Sequence, residues 1–456
     1  MAAAAALRPP MTGLSPLLPR MSADGGLGAA EASALTTLPL LCFAAGALVA
    51  PWVIRRWGID RTVVGVLVAL AAFLAVRPWG GFWWLLAGTV GAALVVAVGN
   101  VVMPVLIRAR HHSGLLTVTG LYSVALALSS SLAAGTAVPL ADWLGGLLTG
   151  VGGDAGWRAS LAFWAVPTLL GAAVWLGFGR ERGAGGGRGA HVDPADTSGR
   201  AAAVDPADAA DAAGGAGPAD ASGRAAAVDP ADAAGGAGPV DPARDGLGSD
   251  GPRPARPGGV TRHLTAWLVS LFFGIQGLGF YAFVTWYPTV LVRRGMADAL
   301  AGGQLSLSLG CGAIAALVVP QLARRLGVGR FIVVTAALIG IGALGVLLGP
   351  TGWVAVFSVC IGVGQGGTLP LSLSLVSSRS ADTAAATGVS ALLNVVGYLL
   401  AALGPVLGSV VFRLSGTWDS VLVLLVVMTV VQGVLGIVAH RAPPVEVGPP
   451  GARERD

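Results

Sequence analysis

Residues 51–61 read PWVIRRWGIDR and residues 320–330 read PQLARRLGVGR, with five identical residues at one constant offset. Each stretch closes an apolar run, 34–54 in the first case and 301–322 in the second. Runs of about twenty apolar residues are long enough for an α-helix to cross a bilayer. The same arginine-rich helix end therefore occurs twice, which predicts a membrane protein built from two similar halves.

The composition of the whole chain agrees with this prediction. Hydrophobic residues make up 54% of the 456 residues and charged residues only 11%, whereas soluble domains contain about 25% charged residues. All 28 basic residues are arginine, so a P-loop lysine is missing and an ATP-driven subunit is excluded. The three cysteines lie in apolar runs without a CxxC pair, so neither a metal site nor a cofactor is expected. A soluble enzyme, a nucleic-acid-binding protein and a secreted disulfide-rich domain are excluded as well.

Twelve apolar stretches are long enough to span a membrane, six before and six after a very different segment. That segment, 179–261, is rich in Gly, Ala, Pro, Asp and Arg and repeats the motif VDPAD. It contains too few bulky apolar residues to fold, so we predict a disordered cytoplasmic linker. The expected domains are an N-terminal six-helix bundle (1–178), a C-terminal six-helix bundle (262–442) and a cytoplasmic tail (443–456). The twelve stretches are approximately 1–21, 34–54, 62–78, 82–107, 114–138, 157–178, 263–291, 301–322, 329–349, 352–377, 386–412 and 418–439.

The predicted fold is an all-α membrane protein with twelve transmembrane helices in two six-helix bundles. Because each half contains an even number of spans, the halves face the same way and form a parallel pseudo-repeat. Short loops after even-numbered spans carry nine arginines, against six on the other side. This bias predicts that both termini and the linker are cytoplasmic, in a bacterial plasma membrane.

Arg8 is the basic residue that lies furthest inside a predicted span. A charge at the bilayer centre costs at least about 2.5–3.5 kcal/mol, so it suggests a functional role. Pro9 and Pro10 follow and interrupt helical hydrogen bonding, so the N–H groups of residues 11–13 are expected to open a new half-helix. A guanidinium beside such donors suits an anion. The alternative is that Arg8 lies in a frayed cytoplasmic N-terminus.

Further polar and aromatic side chains fall at a similar depth in both halves. Amides can orient a small polar solute and aromatic rings can wall it in, although each residue alone could instead link two helices. The acidic residues, by contrast, lie at span ends or in loops. The candidate substrate-binding residues are Arg8, Asn100, Tyr122, Gln276, Tyr281, Trp286, Gln365 and Asn394. The candidate gating residues are Arg55, Arg56, Arg324 and Arg325, which are predicted to bond helix ends in an outward-open state.

Several motifs resemble the major facilitator transporters of the cyanate permease and nitroimidazole transporter group. They include Leu7-Arg8-Pro9, LTTLPLLCFA (35–44), GNVVMP (99–104), GIQGLGFYAFVTWYP (274–288) and GVGQGGTLPLSL (362–373). The resemblance implies twelve helices, a midplane site for small anionic or polar organic substrates, and rocking between inward-open and outward-open states. It matches Arg8, Asn100, Gln276 and Tyr281 to site residues of the group. The chain departs from the group at Ala6, where the group has Asn, and at Arg55-Arg56, where the superfamily motif has Asp.

Together these observations predict a secondary active transporter, and no enzyme activity, that moves a small anionic or polar organic solute by alternating access. Its expected partners are that solute and the lipid bilayer, with no nucleic acid, and a monomer is expected. One alternative is efflux of neutral or cationic compounds. Another is a membrane sensor or scaffold that does not transport and uses the linker as its output.

Overall fold

The computed structural model describes residues 6–25, 27–110, 115–148, 155–183, 257–381 and 383–446, and their regular structure is helical. The first segment, α1, is interrupted and consists of Pro9–Thr12, a 3-10 turn Ser15–Leu17, and Leu18–Gly25. The others are α2 Ala29–Trp57, α3 Ile59–Val76, α4 Phe82–Arg110, α5 Leu115–Leu147, α6 in two pieces (Ala155–Phe163 and Ala165–Gly183), α7 Leu264–Arg293, α8 Asp298–Leu326, α9 Val328–Leu348, α10 Val354–Ser378, α11 Thr383–Ser415 and α12 Asp419–Arg441. Most of the predicted linker, 184–256, lies outside the described residues. The prediction of disorder is wrong at its two ends, because residues 179–183 continue α6 and a short helix, Pro257–Val260, packs with Val260 only 2% exposed.

The prediction of an all-α membrane protein is confirmed. Within the described ranges, ten helices (α3 to α12) are long and apolar enough to cross a membrane. The shorter apolar stretch Ala29–Phe43 of α2 and the interrupted α1 complete a set of twelve segments. Large apolar side chains such as Leu170, Ile314 and Leu348 point outward and are more than half exposed. Outward-facing apolar surface is what a protein surrounded by lipid requires.

The repeated arginine motif ends a helix in the same way in both halves. The glycine after each arginine pair adopts positive φ, 77° at Gly58 after α2 and 106° at Gly327 after α8. Such a glycine terminates a helix because it takes a backbone conformation that other residues rarely adopt. The packing repeats too, since α2 contacts α4 and α3 contacts α6, as α8 contacts α10 and α9 contacts α12.

The halves meet along two helix pairs, α2 with α11 and α5 with α8. The 3-10 turn of α1 packs against α7 and α8 of the other half. We call the end of the molecule where α1 ends the Arg20 end, and the opposite end, where α2 and α8 end, the Arg55 end. The helices that meet between the halves, α2, α5, α8 and α11, surround the space between them together with α1 and α7.

Glycines bring α8 and α10 into backbone contact. A Cβ atom on Gly362 would collide with the Ser308 carbonyl, and one on Gly366 would collide with Gly312. Close helix approach through small residues is typical inside membranes, where lipid supplies no hydrophobic drive for association. This crossing fixes Ser308 on α8 beside the α10 turn that carries Gln365.

The beginning of the predicted tail is part of the fold. The Val445 N–H donates to the Arg379 carbonyl at 2.8 Å, the Ala381 N–H donates to the Val445 carbonyl at 3.0 Å, and Val445 is only 1% exposed. Residues 443–446 therefore pack on the loop between α10 and α11, and residues 447–456 lie outside the described part of the chain.

Candidate functional site

A cavity of about 400 Å³ lies between the two halves. Its walls come from α5 on one side and from α7, α8, α10 and α11 on the other, with Arg8 between them. A second cavity of about 70 Å³ shares Arg8, Ser130 and Tyr281 with it. The polar residues that line the larger cavity are Arg8, Ser123, Ser130, Gln276, Tyr281, Ser308, Gln365 and Tyr398.

Arg8 immediately precedes the four-residue helix Pro9–Thr12 and lines both cavities. Its guanidinium lies within electrostatic range of the Tyr122 and Tyr398 hydroxyls. Within the described residues, the guanidinium has no ion pair and no hydrogen bond. A cation without a partner among largely apolar neighbours is able to attract an anion.

The backbone around Arg8 differs from the sequence expectation. The N–H groups of Met11 and Thr12 both donate to the Arg8 carbonyl, and the Gly13 N–H donates to Pro9. The prediction that residues 11–13 offer free donors to an anion is therefore wrong, because one tight helical turn already uses them. The positive group that remains at this position is the Arg8 side chain.

Two glutamines place amides on the opposite wall. Gln276 on α7 is 5% exposed and Gln365 on α10 is 4% exposed. In the part of the chain that the structure describes, the Oε1 atom of Gln365 has no hydrogen-bond partner. Close contact between α7 and α11 helps to hold Gln276 in place, since a Cβ on Gly277 would lie 3.1 Å from the Ala401 Cβ. Each amide can accept and donate hydrogen bonds.

Aromatic rings form much of the remaining wall. Phe273, Phe280 and Phe283 line the larger cavity together with Tyr281, and the rings of Phe280 and Tyr281 meet edge to face at 5.2 Å. Sequence reasoning identified Tyr281 and missed the three phenylalanines, because an apolar ring in a spanning helix gives no signal of which face it occupies. Ser130 and Ser308 were missed because a serine in a helix can bond to a carbonyl of the preceding turn, as Ser130 does to Leu126, and so gives no signal of a site.

The other four predicted site residues do not line the larger cavity. Asn100 lines the smaller cavity with Arg8, and Tyr122 packs partly buried on the apolar cluster of the first half. Trp286 is 1% exposed, and its Nε1–H donates to the Pro405 carbonyl at 2.9 Å. Asn394 is exposed and donates to the Ser390 carbonyl on its own helix. Five of the eight predicted residues thus line the cavities, Tyr122 lies near Arg8, and Trp286 and Asn394 line neither cavity.

An arginine that the sequence analysis did not select joins the halves at the Arg20 end. Arg20 at the end of α1 donates from Nε to Asp298 on α8 at 2.9 Å. It also donates from Nη1 to Asp142 on α5 at 2.5 Å. The three residues fall at span ends, where the sequence indicates only topology, so nothing but their proximity in the fold reveals the network.

Further hydrogen bonds join the halves. The Ser33 hydroxyl on α2, near the Arg20 end, donates to the Pro405 carbonyl on α11 at 3.1 Å. Ser131, midway along α5, and Ser306 on α8 exchange hydrogen bonds to each other's carbonyl, at 2.8 and 2.7 Å. The α2–α11 pair is therefore tied near the Arg20 end and the α5–α8 pair at the depth of the cavity.

The candidate gating residues lie at the Arg55 end. Arg55, Arg56, Arg324 and Arg325 are all exposed. None of them has an ion pair or hydrogen bond to another residue in the ranges described above. Their predicted bonds belong to an outward-open state, and that prediction stays open.

Comparisons with known proteins give a consistent result. The family model described as Major Facilitator Superfamily matches residues 3–402. The chain is 26% identical to the 2-nitroimidazole transporter of Escherichia coli (strain K12), over 96% of this chain and 93% of that protein. It is 22% identical to the cyanate transport protein CynX of the same organism, over 90% and 88%. Among solved structures, it resembles a bacterial homolog of the human lysosomal transporter Spinster in an inward-facing and occupied conformation, with a TM-score of 0.66, 14% identity, and coverage of 96% and 95%.

Proposed function

The chain belongs to the major facilitator superfamily and is a multi-pass membrane transporter rather than an enzyme, and on that premise we propose that it moves a small organic anion by alternating access. The resemblance that the sequence motifs indicated is thereby confirmed at the level of the family. The proposed membrane is the bacterial plasma membrane, with both termini cytoplasmic as the arginine bias indicates.

The observation that carries the proposal is the guanidinium of Arg8. It lies between the halves, lines both cavities, and has no acidic partner among the described residues. Among the described residues, no Asp or Glu lines either cavity, so the charge of this lining is positive. A cationic substrate would be repelled there, whereas an anion would gain the charge-assisted hydrogen bonds that Arg8 lacks. A relative that is named for cyanate, an anion, supports the same substrate class.

Alternating access is supported by the uneven links between the halves. Arg20 and Ser33 bond across to the second half near the Arg20 end, and Ser131 does so midway along α5, while the arginines of the Arg55 end are exposed. With the proposed orientation, the Arg20 end is the outer face, so this state is closed to the outside. Transport then requires that these links break and that the Arg55 end closes around the loaded site. An anion can drive this change only through a difference in its affinity for the two states.

The test is a ligand-stability and uptake experiment on the purified chain. Benzoate and cyanate are the probes, and a ligand that binds only the folded state raises the melting temperature by mass action. We expect stabilisation and liposome uptake in the wild type, loss of both in Arg8→Gln, and partial retention in Arg8→Lys.

The matched control is Arg413→Gln, which removes an exposed arginine far from the cavities and is expected to behave as the wild type. Equal stabilisation of wild type and Arg8→Gln would refute the role of Arg8. Stabilisation by neutral or cationic compounds alone would replace the proposal by efflux of such compounds.

A further inference from the structure

The wall of the cavity contributed by the second half contains two oxygen atoms without a hydrogen-bond partner among the residues that the structure describes. They are Gln365 Oε1 on α10 and Ser308 Oγ on α8, and both are shielded from solvent. Their side chains belong to residues that are 4% and 1% exposed, and both residues line the larger cavity. A buried acceptor without a partner costs about 1–3 kcal/mol, so such atoms in a native protein require an explanation.

The packing of α8 against α10 explains why the two oxygens stay without a partner. The α8–α10 crossing is held by backbone contact, with Gly362 against the Ser308 carbonyl and Gly366 against Gly312. Neither helix can move closer to satisfy the oxygens, and neither can retreat without losing this contact. Gln432 offers a contrast, because it is also buried in the second half but donates from Nε2 to Thr368 Oγ1 at 3.4 Å.

We propose that Gln365 and Ser308 form a second subsite, which receives a hydrogen-bond donor at the end of the substrate opposite its anionic group. The inference rests on the proposed function, since Arg8 supplies the first subsite in the same cavity. It defines the substrate class further, as an anion whose other end carries an O–H or N–H group. The phenyl rings of Phe273, Phe280 and Phe283 lie along this cavity and suit a flat, apolar middle.

The substrate then bridges the two halves. Arg8 belongs to α1 of the first half, while Gln365 and Ser308 belong to the second. A ligand that is held at both ends gains its full affinity only in a state that keeps both subsites within its length. A ligand with only an anionic group occupies one subsite, so its affinity differs less between the two states. Its transport is therefore expected to be slower than its affinity suggests.

The experiment compares benzoate with 3- and 4-hydroxybenzoate and with the corresponding methoxybenzoates, which keep the oxygen, lose the donor and carry one additional methyl group. Dissociation constants are measured on the purified full chain. In the wild type, at least one hydroxybenzoate is expected to bind several-fold to about tenfold more tightly than its methoxy analogue, the range that one net hydrogen bond provides. This preference is expected to vanish in Gln365→Leu and to fall in Ser308→Ala. It is expected to persist in the matched control Gln432→Leu.

The melting temperature without ligand separates the subsite from a purely structural role of the two side chains. Gln365→Leu and Ser308→Ala remove unsatisfied oxygens, so the subsite proposal expects this melting temperature to stay equal or rise. A lower melting temperature with an unchanged hydroxyl preference would overturn the subsite. So would equal binding of hydroxy and methoxy analogues by the wild type.

Failure of the proposed function itself has a distinct signature. In that case no benzoate binds at all, or all of them bind equally well to Arg8→Gln. If benzoate binds in an Arg8-dependent way and only the hydroxyl preference is missing, Arg8 keeps its role and the second subsite is rejected.

Discussion

Removing the carboxylate of Asp298 is expected to open the Arg20 end of the transporter. Arg20 bonds to two carboxylates, but only the pair with Asp298 connects the two halves, because Asp142 lies in the same half as Arg20. Asp298→Asn therefore weakens a link that exists only while this end is closed. Asp142→Asn makes the same change of charge next to the same arginine, within one half, and is the matched control.

The expected magnitude follows from the exposure of the pair. The side chains of Arg20 and Asp298 are each 27% exposed, so water and salt weaken their attraction. An ion pair of this kind contributes about 0.2–1 kcal/mol, which corresponds to an increase of about 1.4- to 5-fold in the ratio of open to closed molecules. Raising the salt concentration should produce part of the same shift in the wild type, since the Debye length falls from about 10 Å at 0.1 M to about 3 Å at 1 M.

The assay measures distances between spin labels at Leu147 and Leu300, which are 65% and 62% exposed and lie on different halves at the Arg20 end. The three native cysteines are replaced by alanine so that only these positions react. We expect a longer-distance population that grows in Asp298→Asn and stays at the wild-type level in Asp142→Asn. An unchanged distribution in Asp298→Asn, or an equal change in both variants, would refute the assignment of the Arg20–Asp298 pair as a link between the halves.

The remaining predictions address the gating arginines at the Arg55 end, the packing within each half and the linker. Arg55→Ala and Arg324→Ala are expected to slow liposome uptake of benzoate more than they weaken its binding, with Arg413→Ala as the control, and equal losses of both would contradict their gating role. Gly362→Ala should lower the melting temperature, with a loss of about 1–3 kcal/mol for overpacking at the α8–α10 contact, while Gly352→Ala, where a Cβ meets nothing within 4 Å, should not. Arg77→Lys should also lower it, because the buried guanidinium bonds Thr89 and the Pro10 carbonyl together and an ammonium cannot reproduce that fork. Replacing 185–255 by a Gly-Ser chain of about twenty residues should leave uptake intact, whereas a scaffold that signals through this segment would lose its output.

Much of the fold follows from the sequence because hydrophobic length is a local property. A run such as 329–349 has to become a helix that satisfies its own backbone in lipid, and the structure has α9 at Val328–Leu348. The repeated Arg-Arg-x-Gly motif correctly indicated two equivalent helix ends, since Gly58 and Gly327 both adopt positive φ. Pro9 and Pro10 occupy the first positions of the helix Pro9–Thr12. The sequence analysis predicted neither the break in α1 after that helix, at residues 13–17, nor the use of the N–H groups of residues 11–13 within the turn.

The site was only partly predictable, because polarity in a membrane helix says that a residue needs a partner and not which partner it has. Gln276 and Gln365 line the cavity, while Trp286, with a similar sequence signal, uses its indole N–H on the Pro405 carbonyl. Arg77 is one of the six arginines counted in the loops of the less basic side, where it was expected to report only topology, yet it is 1% exposed inside the first half. Periodicity could not separate these cases, since it gives the face of a helix but not its neighbours.

The sequence by itself determined that this protein is a two-part helical membrane protein of the transporter class, because bilayer thickness and the exclusion of water act on each span separately. The tertiary structure alone decided which polar groups have partners. It joined Arg20 to Asp142 and Asp298, which are far apart in the chain. Around one cavity it left the side chains of Arg8, Ser308 and Gln365 with polar atoms that have no partner among the described residues. Attraction between charges and the cost of an unsatisfied oxygen depend on distance in space, and that distance is set only when the two halves pack together.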